Sequence, residues 1–282
     1  ATSPLSKQSA ESYRHPCMTD TTRSMLTDKL EQSGLSRGDT VHEHSEATAK
    51  RDHSTQTWTE AQTLLKETIL DVIGPSGTLV VPTFNWDFCS GKKYRHEKTR
   101  SQVGMFYQNV MSDKRSIRSI HPIYSFGAIG PSSNSLFENI SKSSFGNDSV
   151  FSRLHEANAK MLFFNVPFEV CTFIHYVEQM RGVDYRFLKN FTGEVDVSGD
   201  VYTDTFDFYV RYLDREVINY FGRLSELLIN EGLMSNLLLE DKYSLMLTDC
   251  NTVYTTTNEQ LDLHPYYLLK SPPLAGHSEE SN

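Results

Sequence analysis

Thr172, His175 and Glu178 recur at intervals of three in the run Thr172-Phe173-Ile174-His175-Tyr176-Val177-Glu178. On a helix that spacing puts the polar groups on one face and Phe173, Ile174, Val177 and Met180 on another. An imidazole with a carboxylate one turn away is what a general base requires. The carboxylate sets the ring tautomer and stabilises the imidazolium that forms when a proton is taken up. On spacing alone, a solvated helix face is the simpler reading.

A second constellation is Arg118-Ser119-Ile120-His121-Pro122, followed by Ser125, Gly127, Ala128 and Gly130. Pro122 holds His121 out of helix, and the small residues let backbone approach a ligand closely. Such a stretch suits a phosphate or pantetheine chain, with Arg118 as bidentate donor. A tight strand crossing with a hydrogen-bonded histidine fits it equally well.

Two rival chemistries are visible. His42 and His44 share one side of a strand, and zinc would bind there if His121, His175 or Glu178 came near, although no His-Glu-x-x-His pattern exists. Cys89 and Cys171 are candidate thiol nucleophiles, but a lone buried cysteine is more often a small hydrophobe.

The elements that must position these groups follow from periodicity. The stretch 21–33 spaces its apolar residues helically and stops at Gly34, and Thr40-Val41 opens a strand after Gly38-Asp39. Thr57-Trp58-Thr59-Glu60 has the form of a capping box before a helix closed by Gly74. A turn at Pro75-Ser76-Gly77 and a strand at Thr78-Leu79-Val80-Val81 follow. The same grammar returns from Ser149, with a helix, the apolar strand Met161-Leu162-Phe163-Phe164, a loop at Pro167 and a helix from about Cys171. This alternation predicts a layered α/β/α single domain with a central mixed sheet over residues 21–272. Residues 86–118 read as a long excursion over the sheet edge. Further on, 202–212 and 243–247 read as strand and 223–230 as helix, while residues 1–20 and 273–282 read as disordered tails.

The composition excludes several classes of function. A chain of 282 residues with 38% hydrophobic residues can bury a proper core. Its apolar runs are too short to cross a bilayer, and no signal-peptide pattern opens it. With 27 Lys plus Arg against 36 Asp plus Glu, a formal charge of −9, the chain favours a cationic partner over nucleic acid. Cys17, Cys89, Cys171 and Cys250 form no Cys-x-x-Cys pair, which points to a reducing, cytoplasmic home.

Taken in order, these segments resemble the aminoglycoside 3-N-acetyltransferase family, the antibiotic N-acetyltransferase fold distinct from the GNAT enzymes. The likeness runs through Gly38-Asp39-Thr40-Val41, His44-Ser45, the stretch 74–84, Arg118-Ser119-Ile120-His121-Pro122, Ser144-Phe145-Gly146 with Ser149, the run 172–178, and Val183-Asp184-Tyr185-Arg186-Phe187. The resemblance implies acetyl transfer from acetyl-CoA to an amino group of an aminoglycoside or other amino sugar within a ternary complex, with no metal. It implies His175 as base and Glu178 as its partner, and His44, Ser45, Thr83, Arg118, Ser119 and His121 as CoA-facing. Asp184 and Tyr185 are expected near a small-molecule acceptor. A homodimer is compatible with the sequence, which leaves oligomeric state open. Where the family has His-Ser-Ser, this chain reads His44-Ser45-Glu46, with Glu43 just before. Those acids motivate an alternative, a divergent non-catalytic module that binds CoA or sugar.

Overall fold

Short runs that are apolar on both sides, such as Leu79-Val80-Val81 and Met161-Leu162-Phe163, must become interior strands, because only a sheet covered on both faces hides them. The computed structural model describes residues 20–45, 55–239 and 243–275. Cys17, Glu46 and nearly all of both expected tails lie outside those residues.

In chain order the elements are α1 (Asp20–Ser33), β1 (Thr40–Ser45), α2 (Thr55–Ile73), β2 (Thr78–Pro82), β3 (Tyr94–Arg95), α3 (Phe106–Met111), β4 (Ile117–Arg118), β5 (Phe126–Ile129) and α4 (Ser133–Phe137). They continue as α5 (Val150–Glu156), β6 (Lys160–Phe164), α6 (Phe173–Arg181), β7 (Arg186–Val197), β8 (Asp200–Arg211), α7 (Gly222–Asn230), β9 (Ser235–Leu239), β10 (Tyr243–Asp249) and α8 (Cys250–Leu263). Seven strands form one sheet in the order β4-β5-β2-β1-β6-β10-β9. Its β1 pairs parallel with β2 and β6, and the remaining pairs are antiparallel. A second sheet joins β3, β7 and β8.

One core lies between the large sheet and α1, α2 and α3, where Leu26, Leu30, Leu65, Ile69 and Val110 meet Val41, Leu79 and Leu162. A larger one lies on the opposite face, where Phe151, Ile174, Val177, Leu224 and Val253 meet Val80, Phe126 and Phe163. The result is the expected α/β/α layering around a mixed sheet. Among the described residues, no helix is long and apolar enough to cross a membrane.

Several elements escape the periodicity reading. The helix α8 contains Thr255-Thr256-Thr257, poor helix formers, yet it is fully buried on one side and the Asp249 side chain caps it by accepting from Thr252 N at 2.9 Å. The strand β7 carries exposed or half-buried residues on both faces and so lacks clean alternation; its pairing to β8 across a two-residue turn, with Ser198 and Gly199 at φ 53° and 89°, holds it. Residues 86–118 are not structureless: they hold a 3-10 turn at Asp87–Ser90 as well as β3, α3 and β4.

Because β1, β2 and β6 run parallel, their carboxyl ends share one edge, and antiparallel β5 begins there opposite Pro82. Ligands in open α/β sheets bind outside that edge. Among the described residues, the segments at that edge are 83–86, 119–125 and 165–172.

Candidate active site

Residues 165–172 lead from β6 into α6, whose first turn carries His175. The helix stops at Gly182, which adopts φ 71° and donates its N–H to the Glu178 and Gln179 carbonyls. A left-handed residue there suits glycine, since no Cβ must be accommodated. The reversal returns Tyr185 and Arg186 to the Glu178 carboxylate.

That carboxylate is fully buried and surrounded by donors. His175 Nδ1 lies 2.6 Å from Oε2, Arg186 Nε forms an ion pair with the same oxygen at 2.7 Å, and Tyr185 OH donates to Oε1 at 2.9 Å. Arg186 also donates to Asn219 Oδ1 at 2.9 Å. Burial opposes ionisation of Glu178, but Arg186 and His175 outweigh it and hold its carboxyl below the usual range. With the carboxylate charged, the proton on His175 belongs on Nδ1, which leaves the Nε2 lone pair free.

The His175 side chain keeps 16% of its surface open, which separates it from a sealed core histidine. Phe145 and Phe221 flank the ring edge-on, at 5.6 and 5.9 Å between centroids. Burial and the Arg186 charge lower its pKa, against the opposing pull of Glu178, so the ring is neutral at pH 7. One turn on, Gln179 donates to Ser143 Oγ at 3.1 Å, and Ser143 Oγ donates to Asp207 Oδ1 at 2.6 Å. Gly146 permits this closeness, because a Cβ there would stand 2.6 Å from Ser143 Oγ.

Of the residues singled out in the sequence, the fold gathers His175, Glu178 and Tyr185. Tyr185, expected at the acceptor, is 1% exposed and points at Glu178 instead. Asp184 is exposed and accepts from Tyr266 OH at 3.1 Å. Arg186 and Asn219 were not singled out as site residues. The only signal for Arg186 was its place in the run 183–187, and Asn219 left none, because it arrives from a distant loop.

The residues expected to face CoA are mostly interior. Thr83, Ser119, His121 and His44 are buried, and Ser45 ends β1 with partial exposure. The Thr83 and Ser125 hydroxyls bond each other at 2.8 Å, Ser119 Oγ accepts from Phe126 N at 2.8 Å, and His121 Nδ1 accepts from Tyr124 N at 3.0 Å. Arg118 differs most from expectation. Its guanidinium donates to the His96 and Thr99 carbonyls at 2.8 and 2.7 Å, to the Thr83 carbonyl at 3.1 Å, and to the Thr83 and Ser125 hydroxyls. With those donors committed, Arg118 fastens the loop 96–99 to the sheet edge rather than offering a free fork to a phosphate.

Of the two acids that raised the alternative of a dead site, Glu46 lies outside the described residues and Glu43 is turned away from the site. Strand alternation sends Glu43 toward the α1/α2 side with Val41, and His42 and His44 to the other. Burial raises the Glu43 pKa to about 8, so at neutral pH it is mostly uncharged. His42 and His44 lie 4.1 Å apart, and among the described residues no cluster of three His, Cys, Asp or Glu could hold a metal. Cys171 is fully buried and its thiol is pushed up to about 12 by burial, which leaves it no thiolate to attack with.

The family model for aminoglycoside 3-N-acetyltransferases matches residues 53–262. Aminoglycoside N(3)-acetyltransferase IX of Micromonospora chalcea is 27% identical over 199 residues, 63% of this chain and 69% of that protein. The crystal structure of aminoglycoside acetyltransferase AAC(3)-Xa superposes with a TM-score of 0.72 at 18% identity, covering 88% of this chain and 94% of that one. A binary complex of AAC-IIIb with CoASH superposes with a TM-score of 0.67 at 16% identity, covering 84% and 96%. A buried His–Glu pair with an open imidazole, set in this fold and within a match of that length, makes the chain a member of the aminoglycoside 3-N-acetyltransferase family, and hence an acyltransferase.

Proposed function

We propose that the protein moves acetyl from acetyl-CoA to an amine of an aminoglycoside or a related amino sugar, with donor and acceptor bound together. The observation that carries this reading is the partly open imidazole of His175, whose Nδ1 is engaged by a carboxylate that is itself held by Tyr185 and Arg186. The family membership supplies the reaction class, and CoASH bound to AAC-IIIb supports the donor.

An ammonium group has no lone pair, so a base must take its proton before the nitrogen can attack the thioester carbonyl. Neutral His175 does so through Nε2, and Glu178 stabilises the imidazolium that results. Attack leaves a second surplus proton on the nitrogen, which passes to solvent; when the tetrahedral intermediate then collapses to the neutral amide, the carbon–sulfur bond breaks and the CoA thiolate leaves with the first proton returned by His175. Charge on Glu178 is thus a condition of turnover, and Arg186 secures it. Gln179, Ser143 and Asp207, one turn away, offer polar groups to the acceptor, and a net charge of −9 favours cationic sugars at long range.

The test is release of free thiol from acetyl-CoA against a panel of aminoglycosides and simple amino sugars. Acceptor-dependent release is expected, and its acid limb in kcat/KM should lie below the ordinary histidine value of 6.5 because His175 is lowered. Binding of both ligands without thiol release from any acceptor rejects the reading and favours the non-catalytic module.

A further inference from the structure

The catalytic pair and the two arginines that act on it are held from one short stretch outside the named helices and strands. Residues 217–221 lie between β8 and α7 and run antiparallel to the segment that follows α8, with Asn219 bridged to Leu269. Side chains alternate there as in a strand: Val217 and Phe221 are buried and Asn219 is half-buried, while Ile218 and Tyr220 are exposed. Every second residue thus turns inward. The Val217 carbonyl accepts from Arg211 Nη1 at 3.0 Å, Asn219 Oδ1 accepts from Arg186 Nη2 at 2.9 Å, and the Phe221 ring flanks His175.

Arg186 and Arg211 both oppose protonation of the His175 ring, and Glu178 favours it. Tyr185 and Tyr209, the other titratable groups facing Glu178, are held uncharged by burial. The Arg186 side chain is only 4% exposed, so bulk water does not make good a lost partner. Its Nε meets Glu178 Oε2 as an ion pair without hydrogen-bond geometry, and among the described residues the one hydrogen bond of its guanidinium goes to Asn219. Coulomb attraction between two charges sets no orientation, whereas a hydrogen bond does. Asn219 therefore fixes where the Arg186 charge points. The stretch is itself fastened: Tyr220 N donates to the Leu268 carbonyl at 2.8 Å and Lys270 N to the Ile218 carbonyl at 2.9 Å. Arg223, in the first turn of α7, donates to the Leu269 and Lys270 carbonyls at 3.1 and 3.2 Å, and Leu269 packs in one buried cluster with Tyr185 and Val217.

We infer that Asn219 is a positioning residue for acetyl transfer, aiming Arg186 at Glu178, and that Arg223 serves it by locking the stretch 217–221 to the segment 268–270; the inference rests on the acetyl-transfer reading for the role of His175 as base. Without the Asn219 acceptor the guanidinium swings away from the pair. Removing positive charge from beside two coupled groups eases protonation of both, so the His175 ring gains proton affinity while Glu178 loses the charge that supports the imidazolium.

The test uses the full chain and two variants of similar size, Asn219→Leu, which removes the acceptor, and Asn219→Asp, which keeps one in the same place. Ligand-free melting confirms folding. Histidine-ring NMR of the ligand-free protein against pH, with the His175 signal identified by its loss in His175→Asn, reads proton affinity directly, and steady-state kinetics reads kcat, KM and the acid limb of kcat/KM. Asn219→Leu is expected to titrate His175 at higher pH, to move the acid limb the same way and to lower kcat roughly ten-fold with KM changed far less, whereas Asn219→Asp keeps kcat within a few-fold of wild type. A His175 titration and acid limb equal to wild type in folded Asn219→Leu, or an equal loss of kcat in both variants, overturns the assignment, since a merely structural contact would lower melting alone. Should Asn219→Leu not fold, Arg223→Ala carries the test: a shift in the same direction with a few-fold loss of kcat upholds the inference, and an unmoved titration overturns it. An upward shift of the ring in Asn219→Leu, with no thiol release by wild type from any acceptor, upholds the positioning of the pair and rejects the acetyl-transfer reading instead.

Discussion

Two regions of this molecule bury histidine beside glutamate, with opposite consequences. In β1, His42 has neither ring nitrogen bonded, His44 has one unbonded, and Glu43 has an unpartnered oxygen facing the other layer. In α6, Glu178 is hydrogen-bonded to His175 and Tyr185 and ion-paired with Arg186, and His175 has both a partner and an opening. The first group is buried and mostly neutral, and burial is the largest influence on its protonation. The second holds a charged carboxylate in the interior, which is possible only because Arg186 and Tyr185 compensate for lost water. Residue type does not distinguish them, but the set of partners does.

The contrast is broken most severely at His175. His175→Asn should lower kcat by roughly two to four orders of magnitude, with binding and melting little changed. His42→Leu, which removes a fully buried ring, should leave kcat within a few-fold of wild type. Steady-state kinetics on both variants checks the pair, and a wild-type rate for His175→Asn would end its assignment as base.

Glu178→Gln should cost less in rate and more in stability. It strands the Arg186 guanidinium, whose side chain is 4% exposed, and losing one partner of a buried ion pair costs about 3–5 kcal/mol. The imidazolium also loses its support, so the acid limb of kcat/KM should move to lower pH. Denaturant melts and a pH–rate profile read the two effects separately.

The sealed region predicts its own pH dependence. His44 and His121 are lowered to about 4 by burial and His42 is lowered as well, against 6.5 for each in an open chain. Between those values the unfolded state takes up protons that the folded state refuses, so stability falls as pH drops from 6.5 toward 4, by on the order of a few kcal/mol per ring. Glu43 has the opposite sign: held protonated to about pH 8, it lowers stability as pH rises from about 4.5 toward 8. Melting temperatures across pH 4–8 should show the acid loss diminished in His42→Leu and the alkaline loss diminished in Glu43→Gln.

The smallest effect is expected at Cys171. Its buried thiol lies 3.9 Å from Met161 Sδ and takes no part in the proposed chemistry. Cys171→Ala should leave thiol release nearly intact and lower stability only by the loss of a small buried group. Abolished turnover in a folded variant would point to an acetyl-enzyme instead.

Periodicity and punctuation made much of the fold legible before any coordinates: helix, Gly74, turn and β2, or Ser149, α5 and β6. Such units were readable because their own residues bury the same face that their spacing displays. The strand β7 and the helix α8 were not, since pairing to β8 and a capped, packed position override weak local preference. The site shows the same division. The three-residue spacing of His175 and Glu178 can be read from the chain, but whether that face is wet or enclosed cannot.

By itself, the sequence determined the acidic balance, the helix that sets an imidazole one turn from a carboxylate, and the strands, apolar on both faces, around which everything is layered. Only the tertiary structure decided that Arg186 and Tyr185 would stand against Glu178, that Arg118 would be spent on carbonyl groups, and that Glu43 would point away from the site. The physical reason is that a residue's charge and hydrogen-bonding capacity belong to its side chain, whereas what neutralises or satisfies them comes from segments far away in the chain and is set by packing.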